Sequence, residues 1–194
     1  MIKDIRQFGL FHTDMMRVVL DLPHKEISDN ALEWIAKTDR YTTYHDNKLN
    51  QEWFSQMPAG DKFVDDVYES SQKYLKSTGR RPFKDRNDFF VVAWVSAYGE
   101  HDQHGSHNHP NCLISGTYYP QVPKGASPIV YDSPLAGLMM HDTKQEVNHT
   151  YPPSTGDMML WPSWLFHRVH MPSGPVTEQR IAISFNVDYK RYHI

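Results

Sequence analysis

Arg180-Ile181-Ala182-Ile183-Ser184-Phe185-Asn186-Val187 alternates two kinds of residue with a period of two. On an extended strand Ile181, Ile183, Phe185 and Val187 share one side, while Arg180, Ala182, Ser184 and Asn186 share the other. The apolar face needs a cover, and a polar face turned into the fold implies a lined cavity. Working outward, the same β character holds from about residue 88 onward. Residues 89–98 are apolar on both faces apart from Ser96, as in a strand covered from both sides. Further strands are expected at 113–119, 129–131, 145–151, 158–161 and 165–170. Turns rich in Pro, Gly and Ser separate them at 121–128, 152–156 and 172–175. This spacing of short strands predicts a mainly β protein, a sandwich or jelly roll.

Upstream the pattern changes. Val18-Val19-Leu20 marks a strand near 16–22. Ser28 or Asp29 can cap a helix carrying Ala31, Leu32, Ile35 and Ala36 on one face. Asp61 can start a second, with Phe63, Val64, Val67, Tyr68, Ser71, Tyr74 and Leu75 at helical spacing, and Gly79 and Pro82 stop it. The expectation is one domain over 1–194, with 1–87 supplying a strand and two helices packed on one sheet, and 88–194 the jelly-roll core.

Composition narrows the function. The 194 residues suffice for one sizeable core, and a formal charge of −3 gives no footprint for nucleic acid. The single cysteine, Cys112, excludes an intrachain disulfide and fits a reducing compartment. No apolar run has the length of a membrane span, and Met1-Ile2-Lys3-Asp4 opens no signal-peptide core, so a cytoplasmic location without membrane contact is expected.

Chemistry concentrates in His101-Asp102-Gln103-His104-Gly105-Ser106-His107-Asn108-His109-Pro110, where four of the twelve histidines fall together. Imidazole is the commonest side-chain ligand for transition metals. If this stretch is a strand, His107 and His109 point to one side and can reach one ion. His167, on a distant strand, would complete a facial site with positions left open. His101 and His104 read as loop residues, His104 within reach of the pocket. Arg180, alone in sign among Ile, Ala and Phe, wants a carboxylate held by two parallel hydrogen bonds. Tyr119 shares parity with Ser115 and Thr117, so that face is expected to line the pocket.

His107-x-His109-Pro110, Ser115-Gly116-Thr117-Tyr118-Tyr119, Gly156-Asp157 through Trp161-Pro162-Ser163 to His167, and Arg180 through Ser184-Phe185-Asn186 together resemble the Fe(II)/2-oxoglutarate-dependent oxygenase family, in a bacterial and phage branch. The likeness covers about residues 88–189. It implies a double-stranded β-helix, a cupin-like jelly-roll barrel, with Fe(II) as metal and 2-oxoglutarate as co-substrate. It further implies that His107 and His167 are ligands and that Arg180 grips the distal carboxylate; strand parity adds Tyr119, Thr117 and Ser184 to the same pocket. The implied reaction is a dioxygenation that hydroxylates an unidentified substrate and releases succinate and CO2. The family leaves room for a homodimer.

Two departures stand out. Most relatives carry a carboxylate where His109 stands, so the third ligand is His109, Asp102 folding back, or water. Ala182 replaces a serine common two residues after the arginine, a role open to Ser184, Thr117 or Tyr119. Two other readings compete: a cupin-like metal dioxygenase or isomerase without 2-oxoglutarate, and a non-catalytic jelly-roll structural or binding protein. Arg180 separates the first, since a cupin has no use for it; indifference to chelation would mark the second.

Overall fold

A computed structural model describes residues 12–136, 147–172 and 174–192. Antiparallel strands β1 (Met16–Val19), β2 (Phe89–Tyr98), β4 (Ile114–Gln121), β7 (Asp157–Pro162) and β9 (Arg180–Tyr189) form one sheet in the order β1-β7-β4-β9-β2. A second sheet has the order β3-β8-β5-β6, from β3 (His104–His107), β5 (Ile129–Asp132), β6 (Asn148–Tyr151) and β8 (His167–Val169). This is the mainly β double-stranded β-helix architecture, although among the described residues the two sheets are not bonded into a closed barrel.

The alternation in β9 decides what each layer does. Ile181, Ile183, Phe185 and Val187 are fully buried in the cluster that also contains helix residues Ile27, Ala31, Trp53, Phe63 and Leu75. Ala182 joins a second cluster between the sheets, with Tyr119, Trp161, Ile129, Tyr131 and Val169. β2 divides likewise: Ala93, Val95 and Ala97 face the helices, whereas Trp94 and Tyr98 line the inter-sheet cavity.

Three helices cover the larger sheet, where two were expected. α1 (His24–Ile35) follows Pro23 and starts before the expected cap. Ser28 lies inside it, its hydroxyl donating to the His24 carbonyl at 2.8 Å, so it serves the helix interior. α2 (Asn47–Gln56) is additional, and the Asp46 carboxylate caps it by accepting from the Leu49 amide at 2.9 Å. α3 (Gly60–Ser77) follows the expected periodicity, ending before Gly79 at φ +69°. Its Phe63 ring sits 5.7 Å from Tyr118 and 5.8 Å from Phe185.

Between α1 and α2, residues 41–43 lie along the outer edge of β2. The Thr43 amide donates to the Val95 carbonyl at 3.0 Å and the Ala97 amide to the Tyr41 carbonyl at 2.8 Å, around the bridge Thr42–Ser96. This strip carries Tyr41 and Tyr44 to the cavity mouth. The expected strand 145–151 is observed as Asn148–Tyr151, residues 145 and 146 falling outside the described segments. No described helix is long and apolar enough to cross a membrane.

Candidate active site

The inter-sheet cavity, about 250 Å³, is lined by His107, His109, His167, Arg180, Tyr119, Thr117 and Ser184. Every site residue expected from the sequence therefore reaches one space. His107 closes β3 and is paired in register with His167, the first residue of β8. β3 stops there, so His109 lies beyond the strand and not two residues along it. Its position comes from the following turn, where Asn111 takes φ +61° and the His109 amide donates to the Ser163 carbonyl at 2.9 Å. Convergence thus arises from a turn, and the strand-alternation argument for the pair does not hold.

One nitrogen from each of the three imidazoles lies within 4.8 Å of the others. A metal about 2.1 Å from each of its nitrogen ligands needs such a cluster, and His109 Nε2 and His167 Nε2 are already 3.3 Å apart. His107 Nδ1 donates to the Gly105 carbonyl at 2.8 Å and His167 Nδ1 to the Leu165 carbonyl at 3.0 Å. A carbonyl only accepts, so both rings keep the proton on Nδ1 and offer the Nε2 lone pair inward. His109 stacks on Trp94, with centroids 5.6 Å apart and planes at 28°. Trp161 stands edge-on to His167 at 5.0 Å, part of the pocket wall, whereas Trp164 is exposed.

Burial, then repulsion from His107, lowers His109 to about 4 and His167 to about 3, and burial lowers His107 as well. The cluster is neutral near pH 7, the protonation state in which imidazole binds metals. Asp102 is engaged elsewhere, accepting from the Gly99 amide at 2.8 Å, and no carboxylate belongs to the three-residue cluster.

Arg180 is 2 % exposed and forms no ion pair among the described residues. Nη1 donates to the Ser127 carbonyl at 2.7 Å, so the 121–128 loop backs the guanidinium, while Nε has no partner. Tyr98 and Tyr119 offer ring faces 4.5 and 5.5 Å from Cζ. An unpaired buried charge costs several kcal/mol, a cation–π contact returns about 0.5–2 kcal/mol, and one hydrogen bond from a charge about 1.5–3 kcal/mol. The shortfall is what an anionic ligand would supply. Thr117 Oγ1 and Ser184 Oγ, 3.2 Å apart, add hydroxyls to the same wall.

Two further residues belong to this wall, His104 as its reach to the pocket foretold. His104 belongs to β3 and not to a loop, its ring 4.2 Å from that of His107, and Tyr41 meets its Nδ1 at 3.1 Å. Burial, then His107, lowers it to about 4. Asn186 reaches His109 Nδ1 at 3.1 Å through Nδ2 and accepts from Ser115 at 2.9 Å. The parity that puts Asn186 with Arg180 and Ser184 was the available signal. His170 is exposed. The sequence offers the loops 121–128 and 135–142 as a pocket rim, and the second lies outside the described residues from 137 onward.

Comparison with known proteins agrees with this arrangement. Residues 92–186 match the model of a family described as "Putative 2OG-Fe(II) oxygenase". No curated protein matches the sequence. Among solved structures, the non-heme alpha-ketoglutarate-dependent epimerase SnoN from nogalamycin biosynthesis is similar at TM-score 0.58 and 12 % identity, over 90 % of this chain and 77 % of its own. A Pseudomonas putida prolyl-4-hydroxylase is similar at TM-score 0.53 and 14 % identity, over 91 % and 88 %. Of an oxidoreductase of the 2OG-Fe(II) oxygenase family from Burkholderia pseudomallei, this chain spans 58 % of the length, with 68 % of its own covered, at 10 % identity and TM-score 0.47. At these identities the likeness shows the fold.

Proposed function

We propose that this chain, whose residues 92–186 match the 2OG-Fe(II) oxygenase family model, is a dioxygenase that hydroxylates an unidentified substrate while converting 2-oxoglutarate to succinate. The balanced reaction is substrate–H plus O2 plus 2-oxoglutarate giving substrate–OH, succinate and CO2. The family match carries Fe(II) and 2-oxoglutarate with it. The residues fit both: three inward Nε2 positions for the metal, and a buried guanidinium with an unpartnered Nε for a dicarboxylate. Bound Fe(II) supplies the redox chemistry that couples oxidative decarboxylation to oxidation of the substrate.

This chain's own groups do the rest. His107, His109 and His167 hold the ion through Nε2. Arg180 grips the distal carboxylate of the co-substrate, with Tyr119, Thr117 and Ser184 on the walls beside it. Tyr98, Tyr119 and Trp161 exclude water, and Tyr44, half exposed, marks the approach for the primary substrate. Three neutral ligands leave the dication uncompensated by the protein, so metal and co-substrate should tighten each other's binding.

The observation that carries the reading is Arg180, buried without an acidic partner among the described residues, in the cavity the imidazoles share. A metal enzyme indifferent to 2-oxoglutarate, or a jelly roll binding metal incidentally, leaves that charge unexplained. The test is anaerobic titration of 2-oxoglutarate with and without Fe(II), followed by succinate formation in air. Metal-dependent binding that weakens at least tenfold in Arg180→Ala is expected; equal binding by both proteins would overturn the reading.

A further inference from the structure

At Nδ1, His109 alone of the three imidazoles has a side-chain amide for a partner, a group that can either donate or accept. The other two face backbone carbonyls, which fix their protons on Nδ1. His167 Nε2 is consequently a lone pair, and the hydrogen bond of 3.3 Å between it and His109 Nε2 requires His109 to donate. With its proton on Nε2, His109 has a lone pair at Nδ1, and the Asn186 Nδ2 group donates to it at 3.1 Å. Asn186 Oδ1 in turn accepts from the Ser115 hydroxyl at 2.9 Å. Each bond in this chain agrees with the next. Together they describe one of the two tautomers open to His109, the one with its proton on Nε2.

We propose that Asn186 is a positioning residue that sets the tautomer of His109, and that metal loading turns its amide over. The inference rests on His109 being a ligand. To bind, His109 must carry its proton on Nδ1, and that proton then needs an acceptor. Turning the amide by 180° presents Oδ1 to Nδ1–H and Nδ2–H to Ser115. The Ser115 hydroxyl accepts as readily as it donates, so the exchange costs no hydrogen bond at either end. One proton leaves Nε2 for solvent and one from solvent arrives at Nδ1, so the ring stays neutral throughout. Stacking on Trp94 holds the ring plane, which leaves the position of the proton as the variable.

Nitrogen–proton correlation NMR on the metal-free protein tests the first half. The expected pattern is Nε2–H on His109 and Nδ1–H on His107 and His167; Nδ1–H on His109 would overturn the proposal. Titration with Co(II) tests the second half without turnover. Asn186→Asp, whose carboxylate only accepts, should bind Co(II) at least as tightly as the parent. Asn186→Leu, which leaves Nδ1–H without an acceptor, should bind about 10–100-fold more weakly. Equal affinities in the two variants, or equal weakening, would refute it. His109→Ala tells the two readings apart. Unchanged affinity there removes His109 from the ligand set and this inference with it. A weakened His109→Ala beside an indifferent Asn186 pair sinks the inference alone.

Discussion

Asp157, in the Gly-Asp turn that opens β7, shows how much one carboxylate can hold. It is 1 % exposed and accepts from Arg17 Nε at 2.9 Å, Tyr151 at 2.7 Å and the Ser154 amide at 2.9 Å. Burial pushes its pKa up, but these bonds outweigh it and hold the carboxyl below its ordinary value. A group lowered on folding contributes stability that is present above its unfolded pKa, about 3.9, and lost as pH falls through the lower folded value. Asp157→Asn should therefore cost about 1.5–3 kcal/mol at pH 7, the range for hydrogen bonds to a charged group. It should also flatten the acid limb of stability below about pH 4, where the parent loses this contribution. Urea midpoints across pH 3–7 measure both effects, and parallel curves for the two proteins would count against this role for Asp157. Arg180 was legible at the same scale for a simple reason: a lone cation within an apolar run is costly to bury unless an anion comes to meet it. Asn186 was not, because nothing in an isolated asparagine says whether it will donate or accept.

The elements divide into those written in periodicity and those written in local hydrogen bonds. β2 carries an almost unbroken apolar run, β9 strict alternation and α3 helical spacing, and all three are found where those patterns predict. α2 was missed because its sequence offers one fully buried side chain, Trp53, and otherwise mostly polar residues. Its signal was the Asp46 cap. β3 was missed because His-Gly-Ser-His contains no apolar residue to alternate, and its pairing with β8 sets its conformation. One close approach ties β4 to β9. A Cβ on Gly116 would lie 2.2 Å from Cζ of Phe185, its partner in register, and 2.7 Å from the Met159 carbonyl. Gly116→Ala must displace Phe185 from the core, and should destabilise by about 1–3 kcal/mol, as overpacking does. Chemical denaturation gives the value directly. A neutral Gly116→Ala would show that the ring has room to move.

On the scale of the whole molecule, the larger sheet separates two jobs. Its helix side is the continuous apolar cluster, and its other side carries the guanidinium and faces the imidazoles of the smaller sheet. Phe63 belongs to the first side, with no exposed surface and ring contacts to Tyr118, Phe185 and Phe54. Phe63→Ala should lower stability by about 3–5 kcal/mol and leave Co(II) affinity unchanged, since Phe63 does not line the cavity. A fall in affinity in the still-folded variant would show that the layers are coupled. The jelly roll was legible from the count and spacing of strands, whereas the turn that brings His109 inward depends on Asn111 and the Ser163 carbonyl and follows from no pattern in the chain.

The strip at 41–43 has a consequence for how copies of this protein can meet. β2 ends the larger sheet, and a bare terminal strand is an invitation to strand-by-strand polymerisation. Tyr41 and Thr43 already occupy the outward backbone groups of Val95 and Ala97. Another copy cannot extend the sheet through the middle of that strand, so a homodimer would have to use a different edge or surface.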